Sequence, residues 1–291
     1  MSRRRRGWLP SCAPAGRPRP ETIDQSDKTI EHKVNGRNPQ ADRSCEPCEE
    51  RRPAMNLTCK AVLFDTGGTV LDWHGSLVQA LGALTPWPAG TVDAHAFVNE
   101  WRRRSMGGIV GQVRPPFDMD DVHRSALKAT VEHFGLTPMP EPAATGLWQA
   151  WRRVSAWPDF APALQRLRGT LPAVSFTMLP TSLVVDVSRH NGLTWDAIVS
   201  CQMIGIYKPH AEAYQTAVRW LGLGPADVLM VACHNFDLNA AQDQGMRTAF
   251  VRRPAEWGPA GPPDPWPNRV YDLVVDDFDT LVDGILGRET G

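Results

Sequence analysis

Short apolar runs alternate with helix-like patterns along the chain from residue 56 onward. Each run is long enough for one buried strand and is bounded by polar or turn-forming residues. Strands that alternate with helices in this way form parallel sheets covered on both faces, so the pattern predicts an α/β fold with a parallel-sheet core. The predicted strands span residues 60–64, 173–177, 197–200, 228–232, 248–251 and 273–275.

The interval between the first two predicted strands is far too long for one crossover, which indicates an inserted second domain. Its pattern is helical, because Ala94, Phe97, Val98 and Trp101 recur at the spacing of one helix face. The predicted helices lie at 91–106, around 118–135 and at 141–154. The predicted domains are core at 56–77, an inserted α-helical cap at 78–155, and core again at 156–291.

Residues 1–55 differ from the rest of the chain in composition. They carry 12 Lys and Arg residues against 8 Asp and Glu residues, a net charge of +4, and are rich in proline. A segment without apolar periodicity does not build a core, so we predict a disordered N-terminal extension. Its Arg-rich start weakly resembles an organelle transit peptide, but no amphipathic helix is evident. Met55 is therefore predicted as the start of the functional protein.

Overall charge and cysteine usage narrow the expected partners. A formal net charge of −1 gives no reason to expect a nucleic-acid or anionic-membrane partner. No apolar run approaches the roughly 18–20 residues that a membrane span needs. Cys45 and Cys48 have the spacing of half a zinc site, but no second pair follows to complete it. The six scattered cysteines suit a reducing compartment, so a cytoplasmic location is predicted.

Polar groups of different chemistry follow four of the predicted strands. Asp65 ends the first strand and opens a glycine-containing turn that leads to Thr69, and Thr177 ends the second strand. Lys208 comes soon after the third strand, and residues 234–237 follow the fourth. Each group alone is more often structural than functional. Because the carboxyl ends of parallel strands meet at one edge of the sheet, together they predict a site there.

Four segments resemble the haloacid dehalogenase superfamily, and more closely its type II 2-haloacid dehalogenase branch. They are Phe-Asp-x-x-Gly-Thr at 64–69, Tyr-Lys-Pro with a later Tyr at 207–214, His-Asn-Phe-Asp-Leu at 234–238, and the stretch 245–259. The resemblance runs from about residue 58 to residue 285. It implies a Rossmann-like core with a helical cap inserted after the first strand, in agreement with the long interval described above.

The resemblance also implies a reaction. Asp65 is expected to attack the halogen-bearing carbon of an L-2-haloacid and form an aspartyl ester, which water hydrolyses to the 2-hydroxy acid. Lys208 is expected to keep the Asp65 carboxylate ionised, with Thr69 orienting it. Asp237 is expected to position Lys208 or to activate the hydrolytic water. No cofactor or metal is implied for this reaction.

The resemblance further implies a set of substrate-binding residues. Arg102 matches the cap arginine that receives halide or the substrate carboxylate, where a cation stabilises the departing charge. The hydroxyl of Thr177 is expected to help orient the nucleophile. His234 is expected to be a substrate contact or a hydrogen-bonded filler rather than a base, because Asp237 covers that role. The remaining expected contacts are Met178, Tyr214 and Asn235.

Two residues depart from the family pattern. Gly67 stands where phosphatase branches place a second acid and where the dehalogenase branch usually has an aromatic residue. Met178 replaces an asparagine amide with a thioether that has no hydrogen-bond donor. Two alternatives therefore stay open: a Mg²⁺-dependent phosphatase or other hydrolase of a small anion, and a catalytically weak homologue. The expected partner is a small anion, and the tryptophans of the cap leave room for a homodimer interface.

Overall fold

The computed structural model describes residues 57–110 and 119–287. The predictions for residues 1–55, including the Cys45 and Cys48 pair, lie outside these ranges. The strands are β1 (Ala61–Phe64), β2 (Leu71–Asp72), β3 (Ser155–Ala156), β4 (Ala173–Thr177), β5 (Ala197–Ser200), β6 (Val228–Ala232), β7 (Arg247–Val251) and β8 (Leu273–Val275). Every predicted strand is therefore present, and each boundary is right to within one residue.

Six of these strands form one parallel sheet in the order β5-β4-β1-β6-β7-β8. Strand β1 lies between β4 and β6, and its side chains alternate between two cores. Val62 and Phe64 pack into one core, whereas Leu63 packs into the other. Burial on both faces explains why the strand is a continuous apolar run rather than an alternating one. The predicted Rossmann-like α/β fold is confirmed.

Ten α-helices complete the described part of the chain. They are α1 (Trp73–Leu84), α2 (Ala94–Gly107), α3 (Met119–His133), α4 (Glu141–Ala150), α5 (Phe160–Arg168), α6 (Thr181–Asn191), α7 (Cys201–Ile204), α8 (Ala211–Trp220), α9 (Asn235–Asp243) and α10 (Phe278–Leu286). Helices α5 and α10 pack with the core that contains Phe64, and helices α8 and α9 pack with the core that contains Leu63. None of the helices in the described ranges is long and apolar enough to cross a membrane.

Helices α1 to α4 fall between the first and second strands of the large sheet, where the inserted helices were predicted. Strands β2 and β3, which the apolar pattern did not predict, pair antiparallel at the two ends of this insertion. The carboxylate of Asp72 starts α1 by accepting the Gly75 N–H at 2.8 Å. Asp93 starts α2 in the same way, accepting from His95 and Ala96. Helix α4 is shorter than predicted because the chain tightens into a 3₁₀ turn at Trp151–Arg153.

Candidate active site

The site is built around Asp65, which immediately follows β1 at the carboxyl edge of the sheet. Its backbone N–H donates to Val231 O of the neighbouring strand β6 at 2.9 Å, so the sheet fixes the backbone position of Asp65. The hydroxyl of Thr69 donates to Asp65 Oδ2 at 2.8 Å and accepts from the Cys233 N–H at 3.0 Å. The Asp65 side chain is 7% exposed. It is therefore a buried anion held by defined donors.

Lys208 pairs with the other oxygen of this carboxylate. Its ammonium lies 3.4 Å from Asp65 Oδ1, 2.6 Å from Asp237 Oδ2 and 2.8 Å from Phe176 O. Tyr214 donates its hydroxyl to the other oxygen of Asp237 at 2.6 Å. Lys208 and Asp237 are both fully buried. Asp237 thus pairs directly with Lys208, and its two expected roles, to position Lys208 or to activate water, stay predictions.

These contacts decide the ionisation of Asp65. Burial alone would raise the pKa of Asp65. The Lys208 charge and the His234 hydrogen bond lower this pKa by more than burial raises it, so the net shift is downward. Burial lowers the pKa of Lys208, whereas the anions Asp237 and Asp65 raise it, and the net shift is upward. The arrangement therefore favours an ionised carboxylate beside a charged ammonium, which is the state that a carboxylate nucleophile requires.

His234 lies on the other side of Asp65 and is held between two carboxylates. Its Nδ1 is 3.1 Å from Asp65 Oδ2, and its Nε2 is 3.0 Å from Glu256 Oε1. Trp73 Nε1 donates to the same Glu256 oxygen at 3.0 Å. Burial lowers the pKa of His234, but Cys233, Glu256 and Asp65 raise it, and the net shift is well upward. Two carboxylates therefore face the two ring nitrogens, an arrangement that favours the protonated imidazole.

Glu256 was not predicted as a site residue. It follows β7 and is 2% exposed, within the stretch 245–259 that resembled the family. Burial raises the pKa of Glu256, but the charge of His234 and its hydrogen bond lower it, so the side chain is an anion. The only signal in the sequence was that resemblance, because nothing in the local pattern links residue 256 to the turn after β1.

Arg102 reaches the site from helix α2 and is 6% exposed. Its guanidinium stacks between two tryptophans, 5.4 Å from the Trp73 ring and 5.6 Å from the Trp151 ring. A Cβ built on Gly67 would lie 3.5 Å from Arg102 Nη2. The absent side chain at position 67 therefore leaves the space beside Asp65 to a cation rather than to a second acid.

A small cavity lies where these groups meet. Its lining includes Asp65, Arg102, His123, Met178, His234 and Phe236, with Met106 and Met119 among the remaining residues. Its volume of about 20 Å³ is close to the roughly 10–15 Å³ that one water molecule requires. A larger ligand enters only if side chains move. The methionines suit this because an unbranched thioether changes shape easily.

His123, from α3, is a second wall residue that the sequence did not single out. It stacks on Trp148 and Trp151 at ring distances of 5.1 and 4.9 Å. Burial and the nearby Arg102 charge lower the pKa of His123 to about 3, so the ring is neutral near pH 7. Its Nδ1 is buried and has no hydrogen-bond partner among the described residues. The His123 side chain lines the same cavity as Arg102.

Of three predicted contacts, Thr177 lines the cavity without the expected bond to Asp65, whereas Tyr214 and Asn235 do not line it. Thr177 lines the cavity, but its hydroxyl accepts the Leu179 N–H at 3.1 Å, and within the described ranges it makes no hydrogen bond to Asp65. Tyr214 bonds to Asp237 and does not line the cavity. The side-chain amide of Asn235 donates to Asp264 and to the Trp266 carbonyl, and these hydrogen bonds anchor the loop before β8. Tyr214 and Asn235 therefore support the site without touching the cavity.

The residues do not fit the magnesium site of a phosphatase, because Gly67 supplies no second carboxylate and Arg102 takes up the neighbouring space. Within the described ranges, one group of three donors is compact enough to share an ion: Cys233, His234 and Glu256, whose ligand atoms lie within 4.8 Å of one another. Both ring nitrogens of His234 are already bonded to carboxylates. We therefore assign no metal to this group.

Fold and site together define a parallel α/β protein with an ionised aspartate at the carboxyl end of β1, faced by buried cations. The chain matches the family model of haloacid dehalogenase-like hydrolases over residues 59–232. It is 30% identical over 201 residues to an (S)-2-haloacid dehalogenase of Xanthobacter autotrophicus, an alignment that covers 67% of this chain and 75% of that protein.

Solved structures are similar as well. The L-2-haloacid dehalogenase PA0810 superposes with a TM-score of 0.72 at 33% identity, covering 78% of this chain and 99% of that chain. The defluorinating L-2-haloacid dehalogenase Rha0230 has the same TM-score and identity, covering 80% and 98%. The chain belongs to the haloacid dehalogenase-like hydrolases. The family resemblance and the enzyme class expected from the sequence are thereby confirmed.

Proposed function

We propose that the protein hydrolyses L-2-haloacids to 2-hydroxy acids through a covalent ester on Asp65. The observation that carries this proposal is the pairing of an ionised, buried Asp65 with Arg102 across one small cavity, without a second acid at position 67. A carbon–halogen bond breaks without protonation of the leaving group, so a cation serves better there than a general acid. The names of the similar proteins support the same reaction.

In the first step, an oxygen of the Asp65 carboxylate forms a bond to C2 of the haloacid while the carbon–halogen bond breaks. The halide leaves with the bonding electron pair as an anion, and Arg102 offers it, or the substrate carboxylate, a positive charge. The unpartnered Nδ1 of His123 is a further contact for the substrate carboxylate. Attack from the side opposite to the halogen inverts the configuration at C2.

In the second step, water attacks Cγ of the Asp65 ester. The bond between Cγ and the alkyl oxygen breaks, so the 2-hydroxy acid leaves with an oxygen that came from Asp65. The carboxylate is restored with one oxygen from water, and one proton is released. No cofactor enters either step. In this scheme helices α1 to α4 act as a cap, because α2 and α3 supply Arg102 and His123 to the cavity.

The test is a panel of substrates on one sample. Halide release from the L enantiomer of 2-chloropropionate, without added metal and abolished in Asp65→Asn, is the expected result. Phosphate release from p-nitrophenyl phosphate that appears only with Mg²⁺, together with no halide release, would overturn the proposal in favour of a phosphatase.

A further inference from the structure

Asn99 is a buried amide that joins three parts of the chain, although it does not line the cavity. It lies in α2, one helical turn before Arg102, and is 3% exposed. Its Nδ2 donates to the carbonyl oxygen of Trp257, in the loop after β7, at 3.1 Å. Its Oδ1 lies 2.9 Å from Nδ1 of His74, in the first turn of α1. Helices α1 and α2 and the loop after β7 therefore meet at this one side chain.

The chemistry of these groups fixes the direction of both hydrogen bonds. A carbonyl oxygen only accepts, so the Asn99 atom that faces Trp257 O is the amide nitrogen. The amide oxygen then faces His74, whose Nδ1 carries a proton and donates it. Burial lowers the pKa of His74 by more than its hydrogen bond to Asn99 raises it, so the ring is neutral near pH 7. Its Nε2 is then an acceptor, and it accepts from His95 Nδ1 at 2.8 Å.

The residues next to this bridge hold Arg102. Trp73, which precedes His74, lies under the guanidinium at 5.4 Å. The Trp73 indole N–H donates to Glu256 at 3.0 Å, and the Trp73 ring packs edge-on against the ring of Trp257 at 5.1 Å. The same three parts of the chain therefore meet twice along α2, first at Asn99 and one turn later at Arg102. A movement of α2 that breaks the first contact also displaces the second.

The loop after β7 packs closely against the imidazole of this bridge. A Cβ built on Gly258 would lie 2.1 Å from His74 Nε2, and the backbone there has φ +62°. Glycine is required at this position for both reasons. The close approach of the loop explains how Trp257 O comes within hydrogen-bond distance of a helix that carries Asn99.

We propose that Asn99, oriented by His74, is a positioning residue that fixes Arg102 at the cavity. The proposal rests on the proposed function, because Arg102 acts there on the departing halide or on the substrate carboxylate. Asn99 does not line the cavity, so its effect on the reaction passes through Arg102. A displacement of about 1 Å in a group that positions charge at the reacting atoms costs up to about 10²-fold in rate.

The experiment is a double-mutant cycle on kcat/KM for halide release from the L enantiomer of 2-chloropropionate. Asn99→Leu alone is expected to lower kcat/KM by about 10–10²-fold. In the Arg102→Lys background the same change is expected to cost less than about twofold, because two residues that act as one unit are not additive. The misplaced cation has then already lost its effect on the reaction.

Asn191→Leu is the matched control. The amide of Asn191 also joins separate parts of the chain, donating to Val154 O at 2.9 Å and accepting from the Ala156 N–H at 2.7 Å, but it does not line the cavity. Its loss should leave kcat/KM unchanged. A second pair of variants tests the other half of the bridge. His74→Asn keeps an N–H donor near the position of Nδ1 and should retain most of the activity that His74→Leu loses.

Equal fold-losses for Asn99→Leu in the wild-type and Arg102→Lys backgrounds would overturn the proposal, as would a wild-type kcat/KM in a folded Asn99→Leu. A loss of the same size in Asn191→Leu would overturn it as well, since the effect would then be general destabilisation. If Asn99→Leu does not fold, the His74 variants decide, and equal activity of His74→Leu and His74→Asn would contradict the proposal. Failure of the proposed function has a different signature, because the wild-type protein itself then releases no halide.

Discussion

The carboxylate of Glu256 occupies the space into which a side chain on Gly68 would project. A Cβ built on Gly68 would lie 2.0 Å from Glu256 Oε1, far inside any contact distance, and the backbone there has φ +96°. The turn after β1 therefore needs glycine for two reasons, the backbone conformation and the close approach of the acid behind His234. Glu256, which lies far from this turn in the sequence, therefore limits which residues can replace Gly68.

Gly68→Ala is expected to abolish or strongly reduce halide release, because the new methyl group displaces Glu256. Gly90→Ala is the matched control, since Gly90 also has a positive φ of +80° but no atom within 4 Å of its added Cβ. Both variants should lose about 1–2 kcal/mol of stability from the left-handed backbone, measured by urea unfolding. Equal activity of the two variants would show that the contact with Glu256 does not matter.

Lys208→Met is expected to destabilise the protein by about 3–5 kcal/mol and to abolish activity, because it leaves Asp65 and Asp237 buried without their cation. Lys60→Met removes the exposed pair with Asp227, whose atoms lie 3.2 Å apart, and should cost at most about 1 kcal/mol. Urea unfolding of both variants checks this contrast. Similar losses of unfolding free energy in the two variants would show that the buried pairs of Lys208 with Asp65 and Asp237 matter no more than an exposed pair.

Arg102→Lys is expected to lower kcat/KM by about 10²–10³-fold. An ammonium neither stacks between Trp73 and Trp151 nor presents a flat fork to an anion. Arg103→Lys, one position along α2, changes an exposed residue whose partner is Glu100 and should leave kcat/KM unchanged. Steady-state halide release measures both variants. An unaffected Arg102→Lys would remove Arg102 from the proposed anion site.

His123 is expected to make the protein less stable in mild acid. Burial and Arg102 hold its pKa at about 3 in the folded state, below the ordinary value of 6.5. Between these values the unfolded chain binds a proton that the folded state does not, so stability falls as pH drops below about 6.5. His123→Phe keeps the ring stacking. It should remove the His123 contribution to the pH dependence of the unfolding free energy, a slope approaching about 1.4 kcal/mol per pH unit. Urea unfolding of both proteins from pH 7 to pH 5 tests this, and parallel slopes would contradict it.

The sheet could be predicted from the sequence because its strands are short apolar runs buried on both faces. Runs such as Val228–Ala232 are short, apolar and bounded by polar residues, and the residues that follow such runs gave Asp65, Lys208 and Asp237 as candidates. Strands β2 and β3 were missed because two-residue strands carry no periodic signal. The division into core and cap domains stays a prediction.

The wall of the site opposite Lys208 could not be predicted in the same way. Glu256 and His123 reach the cavity region from a loop and from a cap helix, and their approach depends on tertiary packing rather than on spacing along the chain. Asn235 was misplaced for a related reason. The family resemblance implied a substrate contact for Asn235, but its amide binds Asp264 and the Trp266 carbonyl instead.

The central claim is that Asp65 forms a covalent ester, and a single turnover in water labelled with a heavy oxygen isotope tests it most directly. With enzyme in excess over the L enantiomer of 2-chloropropionate, the label should appear in the Asp65 carboxylate, and the hydroxyl of the product should be unlabelled. Label in the product hydroxyl after that first turnover, with none in the peptide that contains Asp65, would show direct attack by water and would contradict the account.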